Sequence, residues 1–428
     1  MLAFIHLSDI HFTKYSGDQY DIDQDLRDEL LRDISAFFKR CIHRVDGVLI
    51  CGDIAFSGQE SEYIAATSFL DRIFETVQLE KSKVFCVPGN HDVDRSIAKK
   101  GMSVKHIQDT LKNQISVEAY DKCLEGIFRT GTDIAALYSP IGCYNEKFAA
   151  QYSCSLAPGK AKWEQDLPLD AHYKLRLVGI NSTITSNEED NLPDGSEEQM
   201  RISHMQVPSR EDNTVCLSLC HHPPECWFDP NHKIRQIMNR RVAVQLYGHK
   251  HLQTIKQEGN SVVVGSGAAN PSRMEDEWIP RYNWITLDVK ENAGKAVLHV
   301  KIFPRILDKC EDQFEADKNS CSSGQEFLEM EISLSNQDVE AIMQNEEAEC
   351  EHNESSKLSA DSWERSFVYD FMNLPFFRRE HILQKLNLIQ AEDEGLTHAE
   401  LLESIIYRAK EKEIVDELLR GIERERIR

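Results

Sequence analysis

Nowhere does this chain contain the roughly 20 consecutive apolar residues that a membrane-spanning helix needs, and hydrophobic residues make up 41% of it. No membrane span is expected. The amino terminus lacks a basic stretch followed by a long apolar one, and Leu2 to Leu7 reads directly as a strand. Secretion is therefore not expected, and a cytoplasmic location is. No C-x-x-C pair occurs among the twelve cysteines, which removes the usual signature of a thiolate zinc site. They are expected as reduced thiols, and Cys51, Cys86, Cys216 and Cys220 lie in apolar runs that suit small buried side chains. No internal repeat is evident. Positive charge is the remaining deficit: 49 Lys and Arg face 72 Asp and Glu, a net of −23. Such a surface repels phosphate backbones and argues against nonspecific nucleic-acid binding. Bound divalent cations would reverse the field locally.

With 428 residues there is room for a main domain with a large core and a smaller companion. Short apolar, β-rich runs recur at Ala3 to Leu7, Gly47 to Cys51, Lys83 to Val87, Leu175 to Ile180, Val215 to Cys220 and Val242 to Tyr247. Helical stretches from Asp23 to His43 and from Ser61 to Val77 separate the first three, with Leu26, Leu30, Ile34 and Phe37 on one face. That alternation predicts an α/β layered domain. Further runs at Ser261 to Gly265, Asn283 to Val289, Ala296 to Ile302 and Phe327 to Leu334 have no long helices between them. They predict a second sheet, with antiparallel edges, packed on the first.

Residues 93–172 break the pattern with helical segments such as Val104 to Asn113 and Val117 to Phe128, and are expected as an insertion. The stretch NEEAECEHNESSK, Asn345 to Lys357, is acidic and nearly free of large apolar groups, the composition of a linker. From Trp363 to Arg428 helical periodicity returns, with Leu383, Leu386, Leu401, Leu402, Ile405, Ile406, Leu418 and Leu419 spaced to line a small bundle core. The expected organisation is a main domain over 1–335, a linker over 336–361 and a helical domain over 362–428.

Five of the apolar runs end in groups able to bind metal. Asp9-Ile10-His11 can turn a carboxylate and an imidazole toward one cation that accepts oxygen and nitrogen ligands. Gly52-Asp53 offers a sharp turn and a carboxylate whose two oxygens can bridge two cations. Gly89-Asn90-His91-Asp92 supplies a neutral amide oxygen and a neighbouring imidazole. His221-His222-Pro223-Pro224 and Gly248-His249-Lys250-His251 add four more imidazoles. Each motif alone arises readily by chance. Five in this order, each at the end of a strand, where open α/β sheets bind ligands, do not.

DIH, GD, GNHD, HHPP and GHKH together resemble the ordered motif set of the calcineurin-like metallophosphoesterases, over roughly residues 1 to 305. The resemblance implies a four-layer α/β/β/α sandwich and a phosphoester hydrolase with two divalent metal ions. Manganese is the first candidate, with iron, zinc or cobalt also compatible with the ligand set. By position, Asp9, His11 and His251 would hold one metal, Asn90, His221 and His249 the other, and Asp53 would bridge them. His221 is preferred to His222 because it comes first off the strand. His91 would donate a proton to the leaving group, with Asp92 orienting its ring. GDIAFSG and GNHD stand where the protein serine/threonine phosphatases carry GD-x-V-D-R-G and GNHE, which points away from phosphoproteins. Cyclic-nucleotide hydrolysis and nucleic-acid cleavage remain, by a phosphodiesterase or nuclease.

The stretches FMNLPFFRREHILQKLNLI and ELLESIIYRAKEKEIVDELLRGI resemble the death-like, effector-associated adaptor domains of bacterial conflict systems. That implies a role in defence and a protein partner bound through 362–428. Its plainer alternative is a helical hairpin that packs on the enzyme or dimerises it. A rival for the whole chain is a catalytically idle scaffold. Among weaker signals, Asn181 could approach the cleft or merely close a turn, and Arg95 could meet substrate phosphate or a surface carboxylate. Lys233, Arg235, Arg240 and Arg241 read as a solvated helix face. His6, His43, His172 and His299 have no motif context and are expected to be structural.

Overall fold

The computed structural model describes residues 1–13, 21, 23–156, 158–187, 200–273, 279–292, 295–308, 310–321 and 324–334, and beyond them 371, 382–383, 385–386, 388, 398–412 and 414–427. The chain divides into two compact units, Met1–Met343 and Gln344–Arg428.

In chain order the strands of the first unit are β1 (Leu2–Leu7), β2 (Gly47–Cys51), β3 (Val84–Val87), β4 (Lys162–Pro168), β5 (Lys174–Ile180), β6 (Thr214–Cys220), β7 (Val244–Tyr247), β8 (Thr254–Glu258), β9 (Ser261–Gly265), β10 (Arg281–Asn292), β11 (Lys295–Asp308), β12 (Gln313–Ala316) and β13 (Leu328–Ser333). Its helices are α1 (Gln24–Phe37), α2 (Glu60–Val77), α3 (Arg95–Lys100), α4 (Met102–Lys112), α5 (Val117–Phe128), α6 (Gly131–Tyr138) and α7 (Lys233–Arg241). One sheet runs β12-β11-β10-β1-β2-β3 with β13 also on β11, and the other runs β4-β5-β6-β7-β9-β8.

The parallel strands β1, β2 and β3 are buried along their whole lengths, the continuous apolar pattern of strands covered on both faces. Helix α1 lays Leu30, Ile34 and Phe37 on this sheet, with the Phe37 ring 5.3 Å from that of Trp284 in β10. On the inner side β2 and β3 meet β5 and β6 of the second sheet. Helix α7 buries Ile234 and Met238 against Val178, Cys216 and Val263 on that sheet's far face. The order is therefore helix, sheet, sheet, helix, as the motif resemblance implied.

Two expectations need correction. The runs at 283–289, 296–302 and 327–334 extend the first sheet instead of building the second, because β10 pairs antiparallel with β1, Phe4 opposite Ile285. Apolar alternation identifies a strand without identifying its neighbour. The insertion at 93–172 is helical through α3 to α6, but its end contains β4, an edge strand of the second sheet. KWEQDLP reads as polar since one face is wet; Trp163 points inward and donates its indole N–H to the Cys86 carbonyl at 2.9 Å. The short polar strands β8 and β12 escaped the sequence reading for the same reason.

The second unit contains α8 (His398–Glu411) and α9 (Val415–Ile427). Ile405 and Ala409 of α8 and Leu418 and Ile422 of α9 form a core with Phe371, Ile382, Leu383 and Leu388. The expected linker at 336–361 lies outside the described residues. No described helix is long and apolar enough to cross a membrane.

One buried ion pair ties α1 to the first sheet. Arg305 Nε and Nη2 donate to Asp33 at 2.8 and 2.5 Å, and Tyr282 donates its hydroxyl to the same carboxylate at 2.5 Å. Removing one partner leaves a charge stranded in the core. Arg305→Ala is expected to lower unfolding free energy by about 3–5 kcal/mol, read as a shifted urea midpoint at unchanged slope.

Candidate metal centre

Strands β1, β2 and β3 from one sheet and β6 and β7 from the other end where the five motifs begin. Leaving a strand and at once turning a side chain back over its end takes an unusual backbone. Asp9, His11, Asp53, His249 and His251 all have left-handed φ, at 52°, 51°, 50°, 70° and 54°. For residues other than glycine this is strained by of order 1–3 kcal/mol each. Backbone hydrogen bonds hold it: Asp9 N–H donates to the Gly52 carbonyl at 3.1 Å, and the Ile10 and His11 N–H groups donate to Asp53 at 2.9 and 3.0 Å. Gly248 N–H reaches the His221 carbonyl at 2.9 Å, joining the last two motifs. The loops pass so closely that a Cβ on Gly89 would overlap the Asp53 carboxylate, and one on Gly248 the Ser8 hydroxyl.

The side chains converge. One ligating atom each from Asp9, His11 and His251 lies within 4.8 Å of the others, and the same holds for Asp9, Asp53 and His221, for His11, Asp53 and His91, and for His221, His222 and His249. Asn90 Oδ1 is 3.0 Å from His221 Nε2 and 3.1 Å from His249 Nδ1. His251 Nε2 is 3.3 Å from Asp9, and His221 Nε2 is 3.4 Å from Asp53. All seven residues singled out as ligands are thus in one cluster. His221 and His222 differ in what their other nitrogen does: His221 Nδ1 donates to the Cys51 carbonyl at 2.8 Å, whereas His222 Nδ1 pairs with Ser182 Oγ at 2.8 Å.

The electrostatics call for positive charge. Asp9 and Asp53 are 0% and 2% exposed, close enough to repel. Burial opposes the charge on Asp53, but His221 and the neighbouring imidazoles hold its carboxyl well below the usual range. Burial likewise pushes His221 down, yet Asp53, with Asp9 behind it, wins and raises the ring to about 9. Among protein groups alone, a proton on His221 Nε2 supplies the balancing charge, facing Asn90 and Asp53. A divalent cation in that place would meet the same oxygens and imidazoles. Burial lowers His11 to about 4 against the pull of Asp53 and Asp9, leaving a neutral ring suited to metal; its Nδ1 is buried without a hydrogen-bond partner. The donor set of carboxylate, amide oxygen and imidazole fits a pair of divalent cations.

Asp92 has a different place from the one expected. It does not touch the His91 ring. Its buried carboxylate accepts from the N–H groups of Gly89, Ile54 and Ala55 at 2.9, 3.2 and 3.0 Å and from the Tyr63 hydroxyl at 3.0 Å, clasping the second and third motifs together. Burial and nearby Asp53 raise it to about 7 in spite of those donors. The His91 ring is oriented by the Phe56 carbonyl, which accepts from Nδ1 at 2.8 Å. Sequence reasoning missed Phe56 because any residue carries a carbonyl. It also missed Ser8, whose hydroxyl donates to Asp9 at 2.5 Å, although Ser8 stands beside the first motif in plain view.

Asn181 closes a turn, its Oδ1 accepting from Thr183 N–H at 2.9 Å. Arg95 opens α3 half-buried, its Nη2 without a hydrogen-bond partner. Lys233 pairs with Glu118 at 3.1 Å on the surface, in keeping with a solvated face, whereas Arg235 pairs with Glu258 at 2.9 Å half-buried.

These features define a two-sheet α/β protein with a metal-binding site at the carboxyl ends of its strands. The sequence profile described as calcineurin-like phosphoesterase matches residues 2–253, more than half of the chain. The chain belongs to that family, whose membership supports phosphoester hydrolysis at a divalent metal centre. No curated protein matches it in sequence. Among solved structures it is similar to Vacuolar Protein Sorting 29 from Cryptosporidium parvum, at 11% identity and a TM-score of 0.32, covering 78% of this chain and 98% of that one. A predicted phosphoesterase from Streptococcus pneumoniae shows 12% identity and a TM-score of 0.27, with 78% and 97% covered. An archaeal phosphodiesterase shows 12% and 0.26, with 78% and 100% covered. These scores are too low for any activity to transfer.

Gly89→Ala should displace Asp53 and reduce bound metal after desalting, measured by elemental analysis, with little loss of helical signal. Retention of full metal would contradict the close approach. With His221 as a ligand, metal added after chelation would displace its proton. This raised group stabilises the chelated protein fully below its unfolded value near 6.5, and that stability fades as pH rises through about 9. Metal affinity should climb over the same interval, and calorimetry at pH 7.5 in buffers of different ionisation enthalpy should show proton release.

Proposed function

We propose that this protein is a two-metal phosphodiesterase or nuclease acting on nucleotides or nucleic acid. The carrying observation is the clustering of Asp9, His11, Asp53, Asn90, His221, His249 and His251, with the His91 imidazole beside His11 and Asp53. Asp9, His11 and His251 would hold one cation and Asn90, His221 and His249 the second, with Asp53 shared. His221 is the better ligand of its pair, because its Nδ1 is committed to the Cys51 carbonyl and its Nε2 faces Asn90 and Asp53. Bound cations supply the Lewis acidity that makes water nucleophilic near neutral pH and offsets charge on the phosphoryl oxygens.

The protein groups do the rest. With Nδ1–H anchored on the Phe56 carbonyl, the His91 ring is fixed so that Nε2–H can give its proton to the leaving oxygen. Asp92 acts one step back, by keeping the Asp53 and His91 loops in register. GDIAFSG and GNHD in place of the phosphoprotein-phosphatase forms favour a diester. The helical unit at the carboxyl terminus would recruit a protein partner carrying a like domain, as in bacterial defence. Manganese is the metal to try first, and a cytoplasmic setting suits the reduced cysteines.

Hydrolysis of bis(p-nitrophenyl) phosphate with added manganese tests this reading. His91→Gln should lower kcat by roughly 10²–10⁴-fold while bound metal is retained, and Asp53→Asn should lose both metal and turnover. Plasmid, single-stranded DNA, RNA and cyclic nucleotides then sort the substrate. A wild-type protein that binds metal yet cleaves none of these is the idle scaffold.

A further inference from the structure

An aromatic ring stands at the mouth of the metal centre without helping to hold it. Phe56 lies in the loop after β2 and is 51% exposed. Its ring is 5.2 Å from the His91 ring, tilted by 41°, and 6.2 Å from the His11 ring, edge-on. The backbone beneath it is fixed. Phe56 N–H donates to the Phe12 carbonyl at 3.0 Å, its own carbonyl accepts a hydrogen bond from His91 Nδ1, and Asp92 accepts from the Ala55 amide at 3.0 Å. The side chain is therefore displayed from a braced loop.

Exposure alone says little, since single surface aromatics are common. Placement decides. If His91 gives its proton to the leaving oxygen, that oxygen must sit within hydrogen-bond reach of the imidazole. Whatever the oxygen carries then extends past His91, and Phe56 is the neighbour there. A planar base one sugar away from phosphorus gains a stack on such a face, and a ring held in place loses little freedom in making it.

We propose that Phe56 is a stacking platform for the nucleobase of the leaving group, so that the substrate is a nucleoside-bearing phosphodiester with an unpaired base. The inference rests on the phosphodiesterase reading above. The base must be unpaired because, inside a duplex, both of its faces are already covered.

The test compares thymidylyl-thymidine with the same dinucleotide lacking one base, removed in turn from either nucleoside. Wild-type enzyme with manganese should prefer the intact form over one of the two abasic forms by roughly five- to 150-fold, mostly in KM, the range that base–aromatic stacking spans. Phe56→Ala should bring that ratio close to one, and Phe56→Trp should keep it. Calorimetry gives a readout free of turnover: thymidine monophosphate should bind more tightly than inorganic phosphate in wild type, and about equally in Phe56→Ala. A ratio unchanged in Phe56→Ala, with all rates falling together, would mean that the ring only packs on His91 and would overturn the proposal. So would a wild-type enzyme that cleaves bis(p-nitrophenyl) phosphate but none of the three dinucleotides. A wild type that cleaves no diester sinks the phosphodiesterase reading itself, and the calorimetric comparison then still decides the role of Phe56.

Discussion

Asp53 is the residue on which the site depends. Its carbonyl oxygen receives the N–H groups of Ile10 and His11, which sets the backbone of the first motif. Its carboxylate receives the His91 N–H at 2.8 Å and lies 3.4 Å from His221, which reaches the third and fourth. One residue thus joins both sheets and four motifs. A buried carboxylate in such a position is tolerable only with positive charge beside it, whether proton or metal ion. The requirement for cations is therefore built into the packing of the two sheets, and a hydrolytic centre uses the same charge to draw in phosphate.

The local backbone follows from that constraint. Left-handed φ at Asp9, His11, Asp53, His249 and His251 would not persist in isolated loops. It persists because neighbouring motif loops within each sheet exchange backbone hydrogen bonds, and bonds such as His221 Nδ1 to the Cys51 carbonyl and His249 N–H to the Asp9 carboxylate tie the two sets of loops together. Strain clusters where a chain is made to turn side chains inward, and here these are the residues that can hold metal. Asp92 shows how an acidic group in a motif can serve architecture: four donors from three segments converge on it, and none of them is a side chain of the metal cluster.

Much of this was legible beforehand. Gly47 to Cys51, Val117 to Phe128 and Ser261 to Gly265 have the observed boundaries, since each is a periodic apolar segment bounded by polar or turn residues. The expected ligand residues do meet. What failed was neighbour choice. Asn283 to Val289 looked like part of a second sheet, but lies on β1. Asp92 next to His91 suggested a pair, yet adjacent residues off a strand end face different ways, and a carbonyl from Phe56 took the role. Lys162 to Pro168 hid its Trp163 among charges.

Local chemistry is written in the chain itself: strands because their side chains are uniformly apolar, turns because of Gly52 and Gly89, and ligands because imidazole and carboxylate follow those turns. Tertiary structure alone decided which strands pair, which nitrogen of His221 or His222 faces the cluster, and that an exposed phenylalanine borders His91. Those choices depend on contacts between residues far apart in sequence, from Asp9 to His251 and from Cys51 to His221. Their free energies arise only when both sheets close on one another.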